Sequence, residues 1–351
     1  MTVSVQGLKQ AISDKGLLRP PAKDFEKAYQ EAALDPTIGG ALGISTYPFE
    51  DITDLFGVSG GGSVGVLRAD LTAYTSHKGN VMAGLVLRRI MEGKIPREGK
   101  DTLIDCGSYN SAKALSEISR IIGFNGVYVM SPYWPDHLIE ELEREGETTF
   151  KIIRAPRKYA KISENEFSEH LKDLLSDSEF RKNKCYLRHI QEGGKALYPI
   201  GLETGKTLPQ KPDAIIIAVG SGSTLEGIAC AVQDYCNNSP EIVVVEDEEH
   251  PIFAKLRPTR ESRGSLRIVS SYPGIREYNP DDYLPPQGVT HGLIGTHFEG
   301  INPYMKRENI ERISTVEQIS LKDWLLMKRY LENKKLYVGN TSAACLNVAT
   351  H

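Results

Sequence analysis

Residues 211–232 read KPDAIIIAVGSGSTLEGIACAV. DAIIIAV (213–219) is a near-continuous β-branched run, the pattern of a strand buried on both faces. STLEGIACAVQDYC (223–236) has helical spacing. Between them Gly220, Ser221, Gly222, Ser223 and Thr224 put two glycines and three hydroxyls into five residues. Glycines let backbone N–H groups converge on an anion, and the helix N-terminus adds a favourable dipole. A plain strand-to-helix turn with an N-cap is the alternative. The spacing G-x-G-x-x-x-x-G misses the dinucleotide fingerprint, although Glu246 and Asp247 keep a nicotinamide-cofactor reading open. GLETGKTL (201–208) falls one residue short of a Walker A loop, and Pro209 breaks the helix that should follow. It reads as a surface turn.

Outward from this turn the chain alternates strand and helix. Upstream, NVMAGLVLRRIMEG (80–93), NSAKALSEISRIIGF (110–124), PDHLIEELEREG (135–146) and ENEFSEHLKDLLSD (164–177) have helical apolar spacing. DTLIDCG (101–107), GVYVMSP (126–132), FKIIRAP (150–156) and CYLRHI (185–190) read as strands. A polar joint, QEGGKALYP (191–199), separates this series from the second. There EIVVVED (241–247) is a buried strand, ISLKDWLLMKRYLENKK (319–335) a helix and LYVGN (336–340) a closing strand. Such alternation predicts βαβ units and mostly parallel sheets in two α/β lobes.

The 351 residues suffice for more than one lobe, and a formal net charge of -4 gives no reason to expect nucleic acid or anionic membrane as a partner. No apolar run approaches the ~20 residues that span a bilayer. MTVSVQGLKQAISDKGLL lacks the apolar stretch of a signal peptide, and a cytoplasmic location is expected. Cys106, Cys185, Cys230, Cys236 and Cys345 form no CxxC pair, which argues against a disulfide framework or a structural metal.

YTSHKGN (74–80) places Lys78 between small hydroxyl residues and the first turn of an apolar helix. Local spacing alone fits an ordinary solvated lysine. An amine kept for chemistry would need a carbonyl partner, because its unperturbed pKa of ~10.4 makes the ammonium a poor nucleophile.

Four separated motifs, in order, resemble the fold-type II pyridoxal phosphate (PLP) enzymes, the group of cysteine synthase, cystathionine β-synthase, threonine synthase and the tryptophan synthase β subunit. Ser76-His77-Lys78 is similar to the Ser-x-Lys whose lysine holds PLP. Gly107-Ser108-Tyr109-Asn110-Ser111 resembles the Ser-Gly-Asn-Thr loop, whose asparagine bonds the cofactor 3′-oxygen. Residues 220–224 resemble the Gly-Thr-Gly-Gly-Thr phosphate loop. Gly339-Asn340-Thr341-Ser342-Ala343-Ala344 is similar to Gly-Ile-Ser-Ser-Gly-Ala-Ala, where a hydroxyl, here Ser342 or Thr341, faces the pyridine nitrogen.

The resemblance implies two three-layer α/β lobes with PLP in the cleft. Residues 1–79 and 191–351 would form the larger PLP-binding domain and residues 80–190 a smaller, mobile, substrate-closing one. It implies a homodimeric lyase or transferase acting on a small amino acid. The reaction would be β-elimination and β-replacement on an O-acetylserine, O-phosphoserine, serine or cysteine type of substrate, through an aminoacrylate. Lys78 would be Schiff-base and acid/base residue. Ser76, Ser108, Tyr109, Ser111 and His297 would face the substrate. Tyr109 stands where the family has glycine, and GLIGTHFEG (292–300) adds His297 to a Gly-Ile-Gly-Ala-Gly segment. These departures point to a specialised reaction. They also keep open threonine synthase or dehydratase chemistry, or an inactive PLP-binding partner subunit.

Overall fold

The computed structural model describes residues 4–56, 62–95, 102–130, 132, 134–145, 149–156, 164–247, 267–270, 305–338 and 340–350. Strands in chain order are β1 (Phe49–Asp51), β2 (Gly65–Leu67), β3 (Thr102–Gly107), β4 (Asn125–Met130), β5 (Phe150–Arg154), β6 (Lys184–Tyr186), β7 (Ala214–Ala218), β8 (Glu241–Asp247), β9 (Arg267–Ser270) and β10 (Ile313–Ile319). The helices are α1 (Val5–Asp14), α2 (Phe25–Leu34), α3 (Thr53–Phe56), α4 (His77–Met91), α5 (Tyr109–Ile122), α6 (Asp136–Glu145) and α7 (Glu164–Ser176). They continue as α8 (Ser178–Arg181), α9 (His189–Thr207), α10 (Cys230–Tyr235), α11 (Arg307–Ile310), α12 (Leu321–Asn333) and α13 (Asn340–Ala349). Contacts divide the chain into two compact units, residues 1–47 with 69–200 and residues 48–68 with 201–351.

The first unit is built on a parallel sheet of order β5-β4-β3-β6. The chain runs outward from β3 through β4 to β5, then returns to lay β6 on the other side of β3. The reversal falls between β3 and β6, and ligands of open α/β sheets bind beyond the carboxyl ends of strands at such a point. Helix α4 is buried almost all round, from Gly79 to Met91, as its apolar run requires. Its two arginines are buried because each is paired: Arg88 reaches both carboxylate oxygens of Glu26 at 2.7 Å and lies against the rings of Phe25 and Tyr29. Arg89 donates to Glu92 and Glu192 at 2.9 Å and to the Leu187 carbonyl at 3.0 Å. That last bond ties the residue just past the end of β6 to α4.

The second unit has a parallel sheet of order β7-β8-β10-β9 and a small antiparallel pair, β1 with β2. Ile242, Val244 and Val316 are fully buried on its inner strands. Mixed α/β architecture with mostly parallel sheets is therefore what the alternation predicts.

Three local readings are corrected. The polar joint at 191–199 is helical: α9 runs from His189 to Thr207 and takes in GLETGKT, so the expected surface turn begins only at 208. Gly193 and Gly194 are buried in it, so their small size serves packing. Pro199 removes an N–H, while the Tyr29 hydroxyl donates to the Ala196 carbonyl at 2.7 Å in the same stretch. CYLRHI accordingly gives a strand that stops at Tyr186. LYVGN is not a strand: residues 336–338 have no regular structure and α13 begins at Asn340. Finally, Ile319 closes β10, a strand the helical reading of 319–335 conceals.

Candidate functional site

Lys78 is set by the start of α4. Thr75 has φ 53, a left-handed conformation that a β-branched residue adopts only where the surroundings compel it. Ser76 is then extended and its hydroxyl accepts from the Lys78 N–H at 3.2 Å, an N-cap. Asn80, fully buried, donates to the Ser45 carbonyl at 2.7 Å and accepts from the Ser45 N–H at 3.2 Å. Lys78 thus stands, partly buried, on the first turn. A cation there opposes the helix dipole, a poor place for a merely solvated ammonium. Burial pushes His77 down to about 3, and Lys78 and His189 add smaller contributions in the same direction, so His77 is neutral.

The second group lies where β3 gives way to α5. Gly107 has φ 140, and a Cβ there would stand 2.9 Å from both the Tyr128 hydroxyl and His189 Cε1. Ser108 caps α5 with extended backbone but makes no side-chain capping bond. The N–H groups of Tyr109, Asn110 and Ser111 open the helix and have no intrahelical acceptor, so an anion such as a carboxylate suits them. The buried Ser111 hydroxyl is committed: it accepts from Tyr128 at 2.6 Å and donates to the Ser108 carbonyl at 2.9 Å. Its backbone N–H is the group left for a ligand. The Tyr109 ring is stacked on Trp134, with centroids 5.8 Å apart. Burial and the carboxylates of Glu141, Glu145 and Glu117 raise its phenol pKa, which places the ring beside α6. Asn110 is exposed.

In the second unit β7 ends at Ala218 and leads through Val219 into Gly220–Thr224. Gly222 has φ 88, and Ser221 and Ser223 hydroxyls lie 3.0 Å apart. A helical stretch begins at Ser223 and passes through one π-turn, Leu225–Ala229, before α10. Its first bond after the loop is Glu226 N–H to the Gly222 carbonyl at 2.9 Å. The earlier N–H groups and the hydroxyls are the donor set of a monophosphate cradle. Thr341 and Ser342 sit in the first turns of α13, partly buried and exposed respectively. The same helix packs on the end of β7: Ala344 and Cys345 join a cluster with Ala218 and Val245, and the Cys345 thiol, pushed up to about 12 by burial, bonds the Ala218 backbone. Motifs three and four therefore meet within one unit.

Of the residues singled out from sequence, Ser76, Lys78, Ser108, Tyr109, Asn110 and Ser111 fall in the first unit. Residues 220–224, Thr341 and Ser342 fall in the second. His297 lies outside the described residues. Sequence reasoning missed Asp105 and His189, both almost fully buried, the carboxylate accepting from the imidazole Nδ1 at 3.1 Å. The available signal was an acidic residue inside the apolar strand TLIDCG. Among the described residues no group of three or more His, Cys, Asp or Glu could hold a metal, and no helix is long and apolar enough to cross a membrane. Taken unit by unit, the groups present suit PLP chemically: the second unit offers neutral hydroxyl and N–H donors for a phosphate and carries hydroxyls on α13, and the first offers an amine on a helix start.

Comparison with known proteins agrees with that fit. Residues 42–350 match the family model described as "Pyridoxal-phosphate dependent enzyme". No curated protein matches at a significant level. Among solved structures, a lysine-to-alanine mutant of O-ureido-L-serine synthase with O-ureido-L-serine bound is similar, with a TM-score of 0.65 and 15% identity over 88% of this chain and 84% of that one. O-acetylserine sulfhydrylase isoform 3 from Entamoeba histolytica gives 0.66 and 14% over 88% and 82%. Cysteine synthase from the same organism gives 0.64 and 17% over 88% and 81%. At these identities the likeness is one of fold.

Proposed function

On the premise that the chain belongs to the pyridoxal-phosphate dependent enzyme family, we propose that it catalyses β-elimination and β-replacement on a serine-derived amino acid. The observation that carries this reading is the pair of hydroxyls, Thr341 and Ser342, on the helix packed against the strand that feeds the phosphate cradle. A hydroxyl facing the pyridine nitrogen leaves it unprotonated and the ring a mild electron sink, which suits loss of a β-substituent better than a long-lived carbanion.

In this reading Gly220, Ser221, Gly222, Ser223 and Thr224 hold the phosphate, Asn110 the 3′-oxygen, Ser342 or Thr341 the ring nitrogen, and Lys78 anchors the cofactor through its amine. Bound PLP supplies the electron sink for bonds breaking at the substrate's α- and β-carbons. The open N–H groups of Tyr109, Asn110 and Ser111, with the Ser108 hydroxyl, receive the substrate carboxylate. Ser76 holds the lysine's helix turn, and Lys78 carries the proton to and from Cα. Neutral His77 adds no second charge beside it. Homodimeric assembly and closure of residues 80–190 over the substrate belong to the same proposal. Titration with PLP followed by visible absorbance is the test. The protein should turn yellow, Lys78→Ala should not, and release of acetate or phosphate from O-acetylserine or O-phosphoserine should need both. A yellow protein that releases nothing from any serine or cysteine derivative would refute the activity.

A further inference from the structure

The carboxyl ends of β3 and β6 flank the switch point of the first unit's sheet, and they carry a pair of side chains that the reading above leaves idle. Three N–H groups converge on the fully buried carboxylate of Asp105: Cys106 N at 2.8 Å, His189 N at 3.0 Å and His189 Nδ1 at 3.1 Å. With Nδ1 donating to Asp105, the neutral imidazole carries its lone pair on Nε2. That nitrogen is buried, on a side chain 1% exposed, and has no hydrogen-bond partner among the described residues. The backbone is bent to put it there, since Arg188, just before His189, has φ 66. Nε2 faces the start of the substrate loop. A Cβ on Gly107 would stand 3.3 Å from it, so a side chain at this place would press on the nitrogen. His77, on the first turn of α4, is near enough for His189 to contribute to its lowered pKa.

We propose that Asp105 and His189 form a second proton-handling pair, in which His189 Nε2 takes the proton of a small protic nucleophile as it adds to the substrate's β-carbon. This inference rests on the β-replacement reading. Its logic is the tautomer: a bare Nε2 can accept a proton but cannot first donate one, so it does not assist the leaving group. Lys78 already serves Cα. The remaining step that needs an acceptor is addition, in which a lone pair of the nucleophile forms the bond to Cβ while the Cα=Cβ π pair left by elimination moves to Cα and takes a proton from Lys78. The heteroatom–hydrogen bond breaks, leaving its electrons on the heteroatom, and the proton passes to Nε2. Asp105 stabilises the imidazolium, and the proton leaves to solvent with the product. Enclosure keeps bulk water from the nitrogen, so the partner arrives from the loop side and is small, neutral hydrogen sulfide being the simplest.

The experiment compares wild type, His189→Gln and Gly107→Ala, each first loaded with PLP. Leaving-group release without nucleophile is measured separately from addition of hydrogen sulfide, at a pH where it is mostly neutral, and of small thiols of graded acidity. His189→Gln should release the leaving group at the wild-type rate but add hydrogen sulfide about 10²–10⁴-fold more slowly, with the deficit shrinking for the more acidic thiols. Gly107→Ala, which retains the imidazole but crowds Nε2, should also slow addition. Equal addition rates in all three would make the pair structural, its nitrogen served by an internal water, and overturn the inference. An independent readout is the ¹⁵N spectrum of the histidine rings in the cofactor-free protein. His189 should carry its proton on Nδ1, a preference lost in Asp105→Asn, and a proton on Nε2 in wild type would overturn the inference directly. A wild type that takes up no PLP sinks the underlying reading, and this is seen before any variant is compared.

Discussion

Replacing Asn80 tests whether the first turn of α4 is held as described. Its side chain is fully buried and makes two bonds to one residue, Nδ2 to the Ser45 carbonyl at 2.7 Å and Oδ1 from the Ser45 N–H at 3.2 Å. Ser45 itself is exposed, so in Asn80→Ala water can reach its freed backbone groups and the full penalty of burying them unpaired does not apply. The loss is then the net worth of two ordinary hydrogen bonds, about 0.5–1.5 kcal/mol each, or about 1–3 kcal/mol together. Asn80→Asp should be worse than alanine, because a carboxylate oxygen takes the place of the donor opposite the Ser45 carbonyl. The assay is urea denaturation followed by circular dichroism, reading the midpoint shift at unchanged slope. Alanine costing less than about 0.5 kcal/mol, or aspartate milder than alanine, would refute the argument. Either result would mean that Ser45 does not fix the turn carrying Lys78.

Two further outcomes follow from the geometry. Gly222→Ala should weaken PLP binding about tenfold, because φ 88 costs a side chain about 1–2 kcal/mol. The clash partner, Met305 Cε, is the flexible end of a side chain and can move, so an unchanged dissociation constant in an absorbance titration would mean the cradle does not need this conformation. His77 predicts acid sensitivity. Its folded pKa of about 3 lies below the unfolded value of ~6.5, so the unfolded chain binds the extra proton and stability falls as pH drops through that window. His77→Gln should flatten the urea midpoint between about pH 6 and pH 4, and an unaltered acid limb would count against the burial of this imidazole.

How much was legible in the sequence depended on whether neighbours or distant packing decided each element. DAIIIAV and EIVVVED are fixed as strands by their own composition, since an apolar β-branched run has one stable use in an α/β protein. QEGGKALYP was not legible: two glycines and a proline mark a joint, and only burial of the glycines and the Tyr29 bond to the Ala196 carbonyl show why a helix survives there. LYVGN fails for the opposite reason. Its strand-like residues are followed by Asn340, and the helix that begins there packs through Ala343 and Ala344. Lys78 is singled out only through the order of motifs, because its local surroundings in the sequence fit a solvated lysine equally well. Asp105 and His189 lie 84 residues apart, and nothing in either stretch announces that the fold will join them.

Tyr109 bears most directly on whether the site can take an amino acid at all. Where the family has glycine, a ring over the loop would cover the N–H groups that a carboxylate needs. The ring instead lies on Trp134 with α6 carboxylates near its hydroxyl, and the donors in question are backbone groups at the head of α5. Those donors belong to the helix terminus and not to a side chain, so any residue at this place that turns toward Trp134 preserves them. The substitution therefore adds an aromatic wall on the α6 side of the loop without removing its anion site.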